Sequence, residues 1–136
     1  MAGMRAAIAA PTWPDINGSF IPATIGELSP AIKNIAYNPL TVHFIHRGLA
    51  YLLFVLVLVW WFKSKIVSGS PLFSKLRNVF FVLLVTQVAL GILTVLNATH
   101  ANRLVWLGVS HQFTAMLVLM VLVSLLFIVK KKQPIY

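Results

Sequence analysis

The stretch VHFIHRGLAYLLFVLVLVWWF (residues 42–62) decides the fold. Its second half is an uninterrupted apolar run suited to lipid, yet its first turns carry His43, His46 and Arg47. Polar side chains inside a membrane span are costly and face a partner or a cavity. The stretch therefore predicts a membrane helix with a task near one end.

Composition extends this reading to the whole chain. Of 136 residues, 60% are hydrophobic and 10% charged, against about 45–50% and 25% in soluble domains. Three long apolar runs predict spans at 40–62, 78–96 and 104–129. Each is long enough to cross a hydrocarbon core of roughly 30 Å at about 1.5 Å per residue. The fold class expected is all-α: an integral membrane bundle of three transmembrane helices. Residues 1–39 are dense in Pro, Gly, Asn and Ser, which punctuate loops. They read as an outer loop, residues 40–129 as the membrane domain, and 130–136 as a basic tail.

Charge sets the expected orientation. Eleven Lys and Arg oppose only Asp15 and Glu27, a net charge of +9. The basic residues flank the spans and form no basic face of a soluble domain, so no nucleic-acid partner is expected. Lys63, Lys65, Lys75 and Arg77 lie in one connection and Lys130, Lys131 and Lys132 at the C-terminus, whereas the 97–103 loop has only Arg103. Positive flanks favour the cytoplasmic side, which places the N-terminus outside and the C-terminus inside a plasma membrane. The start, MAGMRAAIAA, has no sustained apolar core of a signal peptide. The absence of cysteine excludes disulfides, iron–sulfur clusters and thiolate haem ligation.

Spans one and three then run in the same direction. His46 and His111 lie about 9 and 10 Å from the outer ends of their spans, by residue count. Ala50, Gly108 and Ala115 share their helix faces and leave room for a flat, wide group. Two readings stand: interhelical hydrogen bonding with close packing, or a haem held by two axial imidazoles. Matched depth and small flanks favour the haem. A zinc site would need further tight ligands, and no carboxylate or cysteine lies near. Arg47, at the same level, suits a haem propionate. His43 reads as an interfacial polar residue, with a supporting role behind the ligand or proton carriage as alternatives. Gln87 and Gly91 read first as helix packing and second as a contact to a bound ring.

In order, TWPDINGSFIP, HFIHRGLAYLL, TQVALGILTVL and VSHQFTAMLVL resemble the C-terminal half of the haem A synthase family over about residues 3–128. That family oxidises the C8 methyl of haem O to a formyl group, giving haem A for cytochrome oxidase, on eight membrane helices in two four-helix halves. The resemblance implies that His46 and His111 are axial ligands of a b-type haem serving as a redox cofactor. It implies that Arg47 is a propionate partner and that Trp13 belongs to the loop over the pocket. The catalytic half carries a glutamate three residues before its HR histidine; here that offset holds His43. With three spans and a start resembling the end of the family's fifth helix, the resemblance implies a fragment or an isolated C-terminal portion. Its partners would be the lipid bilayer and a missing N-terminal half or a second copy, with haem O and haem A the substrate and product of the full enzyme. The alternatives are a small bis-histidine membrane cytochrome that only transfers electrons, and a structural subunit without cofactor.

Overall fold

A computed structural model describes residues 6–66 and 70–131. Five helices follow one another: α1 (Ala6–Ala9), α2 (Ile32–Tyr37), α3 (Pro39–Ser64), α4 (Pro71–Leu96) and α5 (Ala101–Lys131). The described residues form no strand beyond one isolated bridge between Ile16 and Ser19. The expected all-α architecture with three helices long and apolar enough to cross a membrane is what forms.

Two of the long helices, α3 and α4, start where side chains satisfy their first amides. Asn38 caps α3: its Oδ1 accepts from the Leu40 and Thr41 amides, both at 3.1 Å. Pro39 follows at the first helical position, where its missing N–H leaves no donor unpaired. Ser70 and Pro71 repeat the device on α4, with the Phe73 amide donating to Ser70 Oγ at 3.2 Å. The second span therefore begins seven residues earlier than apolarity alone predicts. Lys75 and Arg77 masked a start that the Ser-Pro pair signals. The third helix likewise extends beyond 104–129 at both ends.

Helices of 26, 26 and 31 residues measure about 39, 39 and 46 Å. The four residues between α4 and α5 force an antiparallel pair, and these two helices pack closely along their length. At the other end Trp61 stacks on Phe81 (4.5 Å between centroids, 18° between planes) and Trp60 meets Phe80 edge-on at 5.8 Å. The end of α3 thus lies beside the start of α4, so α3 and α5 run in the same direction. Those two helices barely approach each other.

Residues 10–31 are more ordered than their composition suggests. Asn17 (φ +55°) and Gly18 (φ +86°) form a two-residue turn between Ile16 and Ser19, both residues with the positive φ that a type I′ hairpin turn requires. Residues 32–37, expected as loop, form α2. Asn34 accepts the Leu28 amide at 3.0 Å and donates to the Leu28 carbonyl at 2.8 Å, fixing the segment before α3. The expected truncated helix at the start is represented by Ala6–Ala9 alone; residues 1–5 lie outside the described residues, as do 132–136 of the basic tail.

Candidate functional site

His46, on the second turn of α3, is exposed. It lines an open groove of about 210 Å³ with Ile35, Val42, Ile45 and Leu49. Ile35 comes from α2, so the short helix missed in the sequence supplies part of the apolar wall beside this imidazole. Among the described residues the His46 ring makes no hydrogen bond, which leaves its nitrogens available to a ligand.

His111, on α5, is held differently. Its Nδ1 lies 3.1 Å from the Gln87 carbonyl oxygen and its Nε2 lies 3.2 Å from Gln87 Nε2. A carbonyl only accepts and a carboxamide nitrogen only donates. Nδ1 must therefore carry the proton while Nε2 presents its lone pair to the Gln87 amide. Gly91, one turn on, makes the approach possible: a Cβ there would sit 3.1 Å from His111 Cε1. A Cβ on Gly108 would meet nothing within 4 Å. The second oxygen of this arrangement, Gln87 Oε1, is buried without a partner, at a desolvation cost of about 1–3 kcal/mol.

The matched depth of the two histidines can be reckoned along α4. Trp60 meets Phe80 and His111 meets Gln87 and Gly91. On straight helices this puts the histidines one to two turns apart in height, roughly 5–11 Å. That is wider than residue counting gives.

Arg47 is buried, and all five of its N–H groups have acceptors. Nε donates to His43 Nε2 at 3.0 Å. The terminal nitrogens donate to the carbonyls of Asp15 (2.6 Å), Thr12 (2.6 Å), Ala10 (3.3 Å) and Pro14 (3.4 Å). The guanidinium therefore clamps the loop carrying Trp13 onto α3. His43 is 1% exposed, which corrects the expectation of an interfacial polar residue; its Nδ1 has no hydrogen-bond partner. Burial follows from Arg47, whose fork draws the loop over this face of the helix.

Outside the membrane helices, Asp15 closes the same loop. The Thr12 hydroxyl and the Gly18 amide, whose N–H donates to Asp15 Oδ1 at 3.1 Å, hold its carboxyl below the usual carboxylate range. His100 is exposed between α4 and α5, as expected of a loop histidine. No cluster of three or more His, Cys, Asp or Glu side chains occurs among the described residues. Gln87 is the functional candidate that sequence reasoning ranked too low. Its signal was present: Gln87 and Gly91 are four apart and share a helix face.

Known proteins give this geometry a context. The sequence pattern of COX15-CtaA, cytochrome oxidase assembly protein, matches residues 1–123. A protein of Sinorhizobium fredii named heme A synthase is 37% identical over 119 residues, covering 88% of this chain and 31% of the relative. One of the same name from Beijerinckia indica is 40% identical over 121 residues (88% and 33%), and one from Bartonella quintana 36% over 121 (88% and 32%). The chain spans about a third of the length of these relatives. No solved structure matches. With nine-tenths of its residues inside that pattern, the chain belongs to the COX15-CtaA family of cytochrome oxidase assembly proteins.

Proposed function

We propose that the chain is the haem b-binding portion of a haem A synthase, the enzyme that converts the C8 methyl of haem O to a formyl group. His46 and His111 would hold its iron. The observation that carries this reading is His111: its Nδ1–H is fixed on the Gln87 carbonyl, so Nε2 is the nitrogen with a lone pair to give. Metal-binding histidines are set in this way by a partner on the other ring nitrogen. The residues fit a wide planar group, since His46 lies open on α3 and the helices bearing the two imidazoles do not pack directly.

Bound haem would supply a one-electron carrier within the membrane. The protein's own part is to hold and to shield. His46 and His111 offer neutral nitrogens and move no proton. Ile35, Val42, Ile45 and Leu49 present apolar surface beside His46, which would exclude water from one side of the site. Arg47 keeps the loop with Trp13 in place. A propionate would draw on this guanidinium only by displacing a carbonyl, and those of Pro14 and Ala10, at 3.4 and 3.3 Å, are the weakest held. The oxidation itself is assigned to a part of the assembly outside these spans, because neither Asp15 nor Glu27 lies in a membrane helix. The exposed apolar faces of α3 and α5 are then covered by lipid and by that remaining half or a second copy of the chain.

The visible spectrum of the purified chain tests the reading. A Soret band with sharp α and β bands on reduction is expected, and His46→Ala and His111→Ala should each abolish the low-spin form. If both variants keep the wild-type spectrum, the axial assignment fails. Co-expression with a haem O source should give no haem A from this chain alone; haem A formation would move the oxidation into these spans.

A further inference from the structure

We infer that α4 governs haem loading through His111: the Gln87 carbonyl sets the tautomer, and the Gln87 carboxamide is an exchangeable cap on the iron-binding nitrogen. The inference rests on the haem reading above and assigns to that site a residue on a third helix.

The geometry separates two functions of one residue. The backbone carbonyl, 3.1 Å from Nδ1, is part of a continuous helix and cannot be withdrawn. The side chain, 3.2 Å from Nε2, turns about its own torsions. Its Oε1 is buried with no partner, so the capped rotamer is held chiefly by the bond to His111. Gly91 completes the seat, because any side chain there would press on the ring, with a Cβ 3.1 Å from Cε1 and 3.5 Å from Nδ1.

Loading is then an exchange at one atom. The hydrogen bond from the Gln87 amide to Nε2 would break, freeing the Nε2 lone pair for iron. The bond from Nδ1–H to the Gln87 carbonyl persists throughout. His111 releases no proton, because Nε2 carries none. Before loading, the cap keeps a polar nitrogen satisfied within an apolar span, where an unpaired one is costly.

Haemin titration of the full chain in detergent, followed at the Soret band and by low-spin electron paramagnetic resonance, tests this. Gln87→Leu removes the cap, keeps the backbone carbonyl and places an apolar side chain of similar length against His111 in an apolar span. It should bind haemin roughly 3–10-fold more tightly, the size of one net hydrogen bond. Equal or weaker binding overturns the cap. Gly91→Ala should weaken binding at least about threefold and shift the low-spin g values, since ring orientation sets them; unchanged affinity and g values overturn the seat. A measurement that needs no variant is nitrogen-15 resonance of the histidine-labelled chain without haem. It should place the His111 proton on Nδ1, and a proton on Nε2 overturns the proposal. His111→Ala keeps the two levels apart. If it retains the low-spin spectrum, the assignment of His111 as an iron ligand fails and the cap with it. If it loses the spectrum while Gln87→Leu binds as wild type, only the cap fails.

Discussion

Arg47 donates its Nε–H to His43 Nε2 across 3.0 Å, one turn back along α3, and this bond orients the rest of the guanidinium toward the 10–15 loop. Accepting from a guanidinium requires that Nε2 carry no proton, so His43 serves as a rest for Arg47 and not as a cation of its own. Four loop carbonyls complete the set. The pairing ties a membrane helix to the segment that covers its N-terminal end.

Arg47→Lys should therefore be as damaging as Arg47→Gln, because an ammonium cannot reproduce the planar fork. Loss of the clamp should loosen the loop by on the order of 3 kcal/mol, the scale of a buried charged hydrogen-bond network. Hydrogen exchange at the Asn17 and Gly18 amides measures it directly. His43→Gln retains an acceptor and should cost far less than His43→Leu. Wild-type exchange rates in Arg47→Lys would remove the clamp from the account of this loop.

Asp15 makes the same loop sensitive to acid. Its carboxyl is held below the ordinary value by the Thr12 hydroxyl and the Gly18 amide. A depressed folded-state value means that the carboxylate stabilises the turn at pH above the unfolded value of 3.8, and that this is lost as pH falls through the folded value. Protection of the Gly18 amide should thus be constant from neutral pH down to about 4 and decline below it. Asp15→Ala should lack that decline. A decline of equal size in the variant would place the acid sensitivity elsewhere.

The sequence made the membrane helices plain and the loop obscure, for a physical reason. Apolar runs such as 104–129 reflect the solvent, and lipid imposes the same demand on every residue of a span. The loop is held by individual acceptors, the carbonyls of Ala10, Thr12, Pro14 and Asp15, which belong to the backbone and leave no mark in residue types. Arg47 was legible as a polar residue with a partner; the partner it found could not be read, because four of its five acceptors are main-chain or near-turn atoms 32–37 residues away. His111 stood out as an intramembrane histidine, whereas Gln87 did not, since a single Gln in an apolar run also fits plain helix packing. The start of α4 was hidden by Lys75 and Arg77, which a hydropathy reading counts against a span even when a Ser-Pro cap is present.

Arg77 has a structural task that its charge alone does not disclose. It is buried and donates to the Ser64 carbonyl at 2.9 Å, capping the last turn of α3 from the first turns of α4. Beside it Trp61 donates to Asn78 Oδ1 at 3.3 Å, and Lys65 Nζ lies 3.4 Å from the Trp61 ring centroid. A cation at a helix C-terminus meets the negative end of the helix dipole. Arg77→Ala should destabilise the α3–α4 hairpin by about 1–2 kcal/mol, read as faster exchange of the Lys65 and Ile66 amides. Unaltered exchange there would show that the aromatic contacts alone hold the hairpin.

These structural tasks bear on the orientation expected from charge. Arg77 and Lys65 are engaged by Ser64 and Trp61, so they would be retained whichever way the chain crossed the membrane. Setting both aside leaves Lys63, Lys75, Lys130 and Lys131 at one end of the bundle, against Lys33 and Arg103 beside the spans at the other. The asymmetry survives, and it favours a cytoplasmic C-terminus. The chain has no cysteine, which makes single introduced thiols clean reporters. Ser19→Cys, in the exposed turn of the N-terminal loop, should react with a membrane-impermeant maleimide in intact cells. Lys130→Cys, at the exposed end of α5, should react only after lysis. The reverse pattern would invert the topology and place the two histidines nearer the cytoplasmic face.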